Sequence, residues 1–437
     1  MDWSAALLIT VGLLLVLLAS GMRIAWALLA LGLIVLFLFM PANQALLIGH
    51  MAWISTRSFL LCAIPLFVFM SQILFRSGLA EVIYRSITPL LDHFPGGLLH
   101  SNIVSGAFLA AATGAAVASV ATIGTVALPE LEKRKYDPIL SYGTILAGGA
   151  LGNLIPPSIV MIIYGAMTDV SVGQLFIAGI FPGLLMASLH MGYTAIRVSL
   201  KPSLVPTRWA EGYVPWGKSL RGLYRIWPII LLVILVLGSI YAGVATPTEA
   251  AGVGCLGALV ISAGYRRLHW GVVKQAATET LKMTGMIMFI FMGAKIMSTP
   301  LINMGVFYEL TNYIAALPVL PIGILLAIYL MYLILGCFMS GLAAIVITLP
   351  IVYPIIVALG FDPVWFGVVT VILDEAGGLT PPVGMYMYVL QGLRPNTPFK
   401  DIVRGALQYL TMLMLGLAII TVAPPIATFL PRLMIGG

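Results

Sequence analysis

The feature that most limits what this chain can become is a succession of apolar runs, each close to the roughly 20 residues that a helix needs to cross a bilayer. They cover Ser4 to Ser20, Ile24 to Met40, Ser58 to Phe75, Pro138 to Met167, Ser171 to Thr194, Ile226 to Ala245, Pro247 to Gly264, Met283 to Met304, Val364 to Leu393 and Gly405 to Phe429. Hydrocarbon offers no partner to a backbone N–H or C=O, so runs of this length are read as helices that pair those groups internally. Two further stretches, Leu98 to Leu128 and Pro321 to Ile356, are too long for one helix and are interrupted by Gly, Ser and Thr. Each is expected to enter the membrane and return as a hairpin. The expected fold is an all-α polytopic membrane protein with about ten transmembrane crossings and two re-entrant helical hairpins. Only 8% of the residues are charged, against roughly a quarter in a soluble domain, which excludes a soluble or a disordered chain. Asp2 stands where a signal peptide would carry positive charge, so the first run is read as a transmembrane helix.

The net charge of +7 would suggest nucleic acid in a soluble protein, but the basic residues here lie between apolar runs. With the N-terminus outside, 19 of the 22 Lys and Arg fall in loops on the cytoplasmic side, leaving Arg57 and Arg432 outside and Lys295 within a span. That is the positive-inside distribution, and it holds only if each long stretch returns to the side it came from. Cys62, Cys255 and Cys337 all sit in apolar segments, and the five histidines show no paired spacing. No HExxH, GxSxG or Walker A pattern occurs. The sequence therefore supports neither a transition-metal site nor an enzyme.

The chain also repeats itself. Tyr136-Asp137-Pro138 is followed after seventeen residues by Pro156-Pro157, and Phe361-Asp362-Pro363 is followed after seventeen by Pro381-Pro382. The offset is 225 residues in both, and it also matches Pro129 with Pro354 and Gly152-Asn153-Leu154-Ile155-Pro156-Pro157 with Gly377-Gly378-Leu379-Thr380-Pro381-Pro382. With Asp137 cytoplasmic and Asp362 outside, the halves are inverted copies, an arrangement suited to alternating access. Two prolines after glycine in mid-membrane remove donors and break the helix. The free carbonyls and C-terminal half-helix end suit a sodium ion, and the N-terminal half-helix end suits an anionic group of a substrate.

Asp374 and Glu375 lie directly before the second Gly-Gly break. Buried charge in a membrane needs pairing or hydration, so they are candidates for lining an ion or substrate cavity, although adjacent helical positions point different ways. Lys295 is alone in its run and either attracts an anionic substrate, neutralises one of these carboxylates, or snorkels. Glu249 follows Thr246-Pro247-Thr248, a helix-capping pattern. Arg266 to Lys282 reads as an amphipathic helix on the cytoplasmic surface. Met283, Met286, Met288, Met292 and Met297 read as flexible packing.

Taken with Ile123-Gly124 and Pro129, Tyr164-Gly165, Ala245-Thr246-Pro247-Thr248-Glu249-Ala250-Ala251 and Gly377 to Gly384, the first break with its Ser158-Ile159 resembles the large membrane subunit of TRAP (tripartite ATP-independent periplasmic) transporters over nearly the whole chain. The resemblance implies a multi-pass protein of a bacterial inner membrane. It implies sodium-driven import of organic anions such as sialic acid or C4-dicarboxylates, with a separate small membrane subunit and a periplasmic substrate-binding protein. It further implies an elevator motion, and it divides the chain into 1–97 (scaffold), 98–170 (first hairpin and broken helix), 171–320 (scaffold and surface helices), 321–393 (second hairpin and broken helix) and 394–437 (C-terminal scaffold helix). Expected sodium ligands are Thr113, Gly114, Gly152, Asn153, Pro156, Ser340, Gly341, Gly377, Gly378 and Thr380; expected substrate contacts are Lys295, Asp374, Glu375 and Ser158. The chain departs from the family twice. Thr113-Gly114-Ala115 stands where Ser-Gly-Ser is common, and Ser340 stands where the second hairpin often carries an acid. The rival reading is a self-sufficient sodium–dicarboxylate symporter, whose usual Ser-Asn-Thr hairpin tips are absent here.

Overall fold

Asp-Pro pairs start the two central helices, because the Asp side chain accepts from backbone N–H groups that have no partner inside the helix and Pro fits the first helical position. Asp137 Oδ1 accepts from Leu140 N at 2.8 Å, and Asp362 Oδ1 accepts from Val364 N at 2.8 Å and Trp365 N at 3.0 Å. Around them the computed structural model describes residues 2–40, 46–113, 116–206 and 216–435, which form helices and no strand. The first half holds α1 (Trp3–Ala19), α2 (Ile24–Phe39), α3 (Leu46–Arg57), α4 (Ala63–Arg76), α5 (Leu79–Leu91), α6 (Leu98–Thr113), α7 (Ala116–Lys133), α8 (Pro138–Ala150), α9 (Ile159–Thr168), α10 (Val172–Ala178) and α11 (Ile180–Leu200). The second holds α12 (Trp216–Tyr241), α13 (Pro247–Gly264), α14 (Trp270–Asn303), α15 (Val306–Ala315), α16 (Pro321–Phe338), α17 (Gly341–Ala358), α18 (Pro363–Leu379), α19 (Met385–Leu393), α20 (Phe399–Val422) and α21 (Pro425–Ile435).

The offset of 225 residues carries α7 onto α17 end for end, and it carries α6 onto α16, α8 onto α18 and α9 onto α19. It reaches further than the motifs did, since α2 falls on α13 and α3 with α4 fall on the single helix α14. Pro65 explains that difference: it lies in the first turn of α4 just after a 3₁₀ turn at Phe59–Cys62, where α14 has Ile290. Packing respects the repeat too. The second arm of each hairpin packs on the second half of the other copy's broken helix, α7 on α19 and α17 on α9. The two copies are therefore interlocked.

Among the described residues, eight helical stretches are long and apolar enough to span a membrane, and α1 and α2 fall just short of that length. The hairpins pair α6 with α7 and α16 with α17, the latter joined by Met339 and Ser340. An arm of 18 residues is about 27 Å long, close to the hydrocarbon thickness. Paired arms of this kind are what a return to the original side, as the distribution of Lys and Arg expects, would require.

Two expectations change. The surface helix at Arg266–Lys282 is not separate, because α14 runs unbroken for 34 residues and only Pro300 interrupts its donors. At about 51 Å it exceeds the hydrocarbon and carries its first turns beyond it. The run Gly405 to Phe429 is split at Ala423-Pro424 into α20 and α21. The helices α11 and α20 pack on α8 and on each other. A pair of glycines lets α20 approach α8 closely: a Cβ on Gly405 would lie 2.6 Å from Ile139 O, and one on Gly143 would lie 2.5 Å from the Tyr409 ring.

At the start of α13 the capping box is complete. Glu249 N donates to Thr246 Oγ1 at 3.3 Å, and Thr246 N donates to Glu249 Oε2 at 2.8 Å. Replacing Thr246 with Ala should lower stability by about 1 kcal/mol. A melting temperature equal to wild type would contradict this. At the C-terminal end of α7, Glu132 accepts from Arg394 Nε and Nη2 at 2.8 and 3.2 Å, which raises the Arg394 pKa above its usual value. Both partners are half exposed, so the pair contributes at most about 1 kcal/mol.

Candidate functional site

Each central helix is interrupted at the same place in its repeat. α8 stops at Ala150, and the chain passes through residues 151–158, including a cis Pro156-Pro157 bond, before α9 begins. α18 stops at Leu379, and the chain passes through a cis Pro381-Pro382 bond and Gly384 before α19 begins. Gly384 has φ +45°, a region that favours glycine, and closes that turn. Ser158 restarts the first helix by accepting from Met161 N at 3.3 Å.

The breaks are joined by a buried polar network. Asn153, in the first break, donates from Nδ2 to Asp374 Oδ2 at 3.0 Å and from its backbone N to Glu375 Oε1 at 3.1 Å. Tyr386, beyond the second break, donates from its hydroxyl to Glu375 Oε2 at 2.8 Å. Asp374 is 7% exposed and Glu375 is fully buried. The sequence suggested that adjacent carboxylates must diverge. They converge because Asn153 offers donors in two directions and the extra methylene of Glu375 reaches the second.

Glycines let the surrounding backbones close in. A Cβ on Gly341 would overlap the Asp374 carboxylate, and one on Gly152 would lie 2.7 Å from Ala116 Cα at the start of the first hairpin's second arm. A Cβ on Gly377 would lie 2.7 Å from Gly336 Cα, and one on Gly378 would overlap the Tyr386 ring. Thr380 donates to Ala376 O at 2.6 Å, leaving its oxygen lone pairs available. Thus Gly152, Asn153, Pro156, Gly341, Gly377, Gly378, Thr380, Asp374 and Glu375 lie along the two breaks and the tip of the second hairpin. Ser340 stands at the N-cap of α17, and its side chain makes no capping bond.

Other candidates lie elsewhere or do other work. Ser158 is fully buried and caps α9. Lys295 holds its ammonium 5.7 Å from the Phe291 ring centre. Among the described residues it pairs with neither Asp374 nor Glu375. Thr113 ends α6, its side chain is not described, and Gly114 lies outside the described residues. Tyr386 was missed. Its signal was a tyrosine inside an apolar helix, where a buried hydroxyl usually needs a partner.

Residues 11–426 match the family "Tripartite ATP-independent periplasmic transporter, DctM component". The chain belongs to the DctM family. It is 33% identical to the C4-dicarboxylate TRAP transporter large permease protein DctM of Pseudomonas aeruginosa, covering 86% of this chain and 87% of that one. It is 30% identical to the sialic acid TRAP transporter large permease protein SiaM of Vibrio cholerae, covering 87% of this chain and 88% of that one. The YdaH transporter of Alcanivorax borkumensis has a similar fold, with a TM-score of 0.64 at 16% identity over 97% of this chain and 98% of that one. As a DctM-family permease, the chain is a multi-pass protein of a bacterial inner membrane.

Proposed function

We propose that this chain is the membrane carrier of a sodium-driven, binding-protein-dependent importer of organic anions of the sialic acid or C4-dicarboxylate class. The carrying observation is the hydrogen-bonded contact between the breaks of two inverted copies, Asn153 to Asp374 and Glu375. A centre built from the breaks of both copies is reached from opposite sides as the copies exchange conformations, which is the geometry of alternating access. Helix ends freed by the breaks supply carbonyls for sodium and N–H groups for a carboxylate of the solute. The second hairpin tip, closed over Asp374 at Gly341, is the element that opens and shuts the site. The hairpins and broken helices move together as an elevator against the remaining helices. A small membrane subunit and a periplasmic binding protein complete the system, as the relatives' TRAP names imply. An isethionate permease of Oleidesulfovibrio alaskensis, of which this chain covers 60% of the length, carries the name DctMQ.

The test is uptake of labelled sialic acid and a panel of C4-dicarboxylates into proteoliposomes containing this chain and its small subunit, with and without the cognate binding protein. Saturable uptake of one solute class only when the binding protein is present is the expected result. Equal uptake without it would make the chain a self-sufficient symporter.

A further inference from the structure

The two carboxylates of the central network are not equivalent. Both oxygens of Glu375 accept hydrogen bonds, from Asn153 N and Tyr386 OH. Asp374 uses only Oδ2; its Oδ1 has no donor among the described residues and lies against Gly341 at the tip of the second hairpin. Asp374 is more than nine-tenths buried, and among the described residues neither carboxylate has an ion-pair partner. Buried carboxylates without a counter-charge are strongly penalised.

The backbone beside Oδ1 is also negative. α16 ends at Phe338 and α18 at Leu379, and the two ends touch at Gly336 and Gly377, where a Cβ on the first would lie 2.6 Å from the other's Cα. Each helix C-terminus carries about half a negative charge. The carbonyls of buried Gly336 and Cys337 accept no hydrogen bond among the described residues. Against these stands the N-terminus of α17, which begins at Gly341. Asp374 Oδ1, which has no donor among the described residues, and the free carbonyls of Gly336 and Cys337 face a single helix N-terminus, so these oxygens at the hairpin tip suit a hard cation such as sodium.

We infer that Asp374 supplies from α18 the negative charge of a sodium site at the second hairpin tip, in place of an acidic residue on the hairpin itself. This rests on the sodium coupling proposed above. It resolves the departure at Ser340: the charge is relocated across the contact between Gly341 and Asp374, and Asn153 fixes its position.

The test is sodium-dependent thermal stabilisation of the purified chain, with choline as the control cation, together with the sodium concentration for half-maximal uptake in the reconstituted complex. Asp374→Asn keeps an oxygen for Asn153 and should raise that concentration at least about tenfold. Adding Ser340→Asp to Asp374→Asn should restore it to within about threefold of wild type. Where Asp374→Asn does not give monodisperse protein, Asp374→Ser serves as the neutral variant. Unchanged sodium response in the neutral variant would overturn this inference and leave the proposed function intact. A lost response that Ser340→Asp fails to restore would overturn the relocation. No sodium response in the wild-type chain would remove the sodium coupling itself, and this inference with it.

Discussion

Glu375→Ala should abolish uptake, lowering the initial rate by roughly 100-fold or more. The side chain is fully buried, and its oxygens satisfy Asn153 N and Tyr386 OH. Truncation leaves two buried donors without acceptors, at about 1–3 kcal/mol each, and opens a cavity at the junction of the two copies. Tyr386→Phe removes one of the two bonds while keeping the ring over Gly378, so its loss should be nearer tenfold. Initial uptake rates at matched protein incorporation check both. Near-wild-type transport by Glu375→Ala would detach the network from function.

The second large effect is on folding. Gly148→Val should yield little monodisperse protein, because α6 and α8 meet there backbone to backbone. A Cβ on Gly148 would overlap Asn102 O and sit 3.1 Å from Ile103 Cα, while one on the facing Gly106 would overlap Gly148 itself. Neither neighbour is a side-chain tip that can swing away, so the hairpin arm must separate from the broken helix, at a cost of several kcal/mol. Gly252→Ala in α13 is the control, since nothing lies within 4 Å of the added carbon. Size-exclusion profiles and melting temperatures of the two variants decide it, and a well-folded Gly148→Val would show that the contact is not tight.

Much of this was legible in the sequence because the informative residues act locally. Asp137-Pro138 and Asp362-Pro363 cap helices through their own neighbours, and Pro156-Pro157 and Pro381-Pro382 break them by lacking donors. Their common spacing exposed the repeat. What could not be read depends on residues distant in the chain. Asn153 meets Glu375 across 222 positions, and no local pattern pairs them. Glycines were informative at the breaks but silent at Gly106, Gly143 and Gly405, where their role is to let another helix approach. The joining of the Trp270 segment to its span escaped notice because the change from polar to apolar looked like a boundary, while the backbone has no proline there to make one.

The most direct measurement of the central claim is accumulation of solute in proteoliposomes holding the complete complex, with an inward, an absent and an outward sodium gradient at equal ionic strength. Binding protein is supplied outside, with the solute that the uptake panel identifies. Internal concentration rising above external only under the inward gradient, and collapsing when sodium is equalised by an ionophore, is the predicted result. Accumulation that is the same in all three conditions would contradict a sodium-driven carrier at this site.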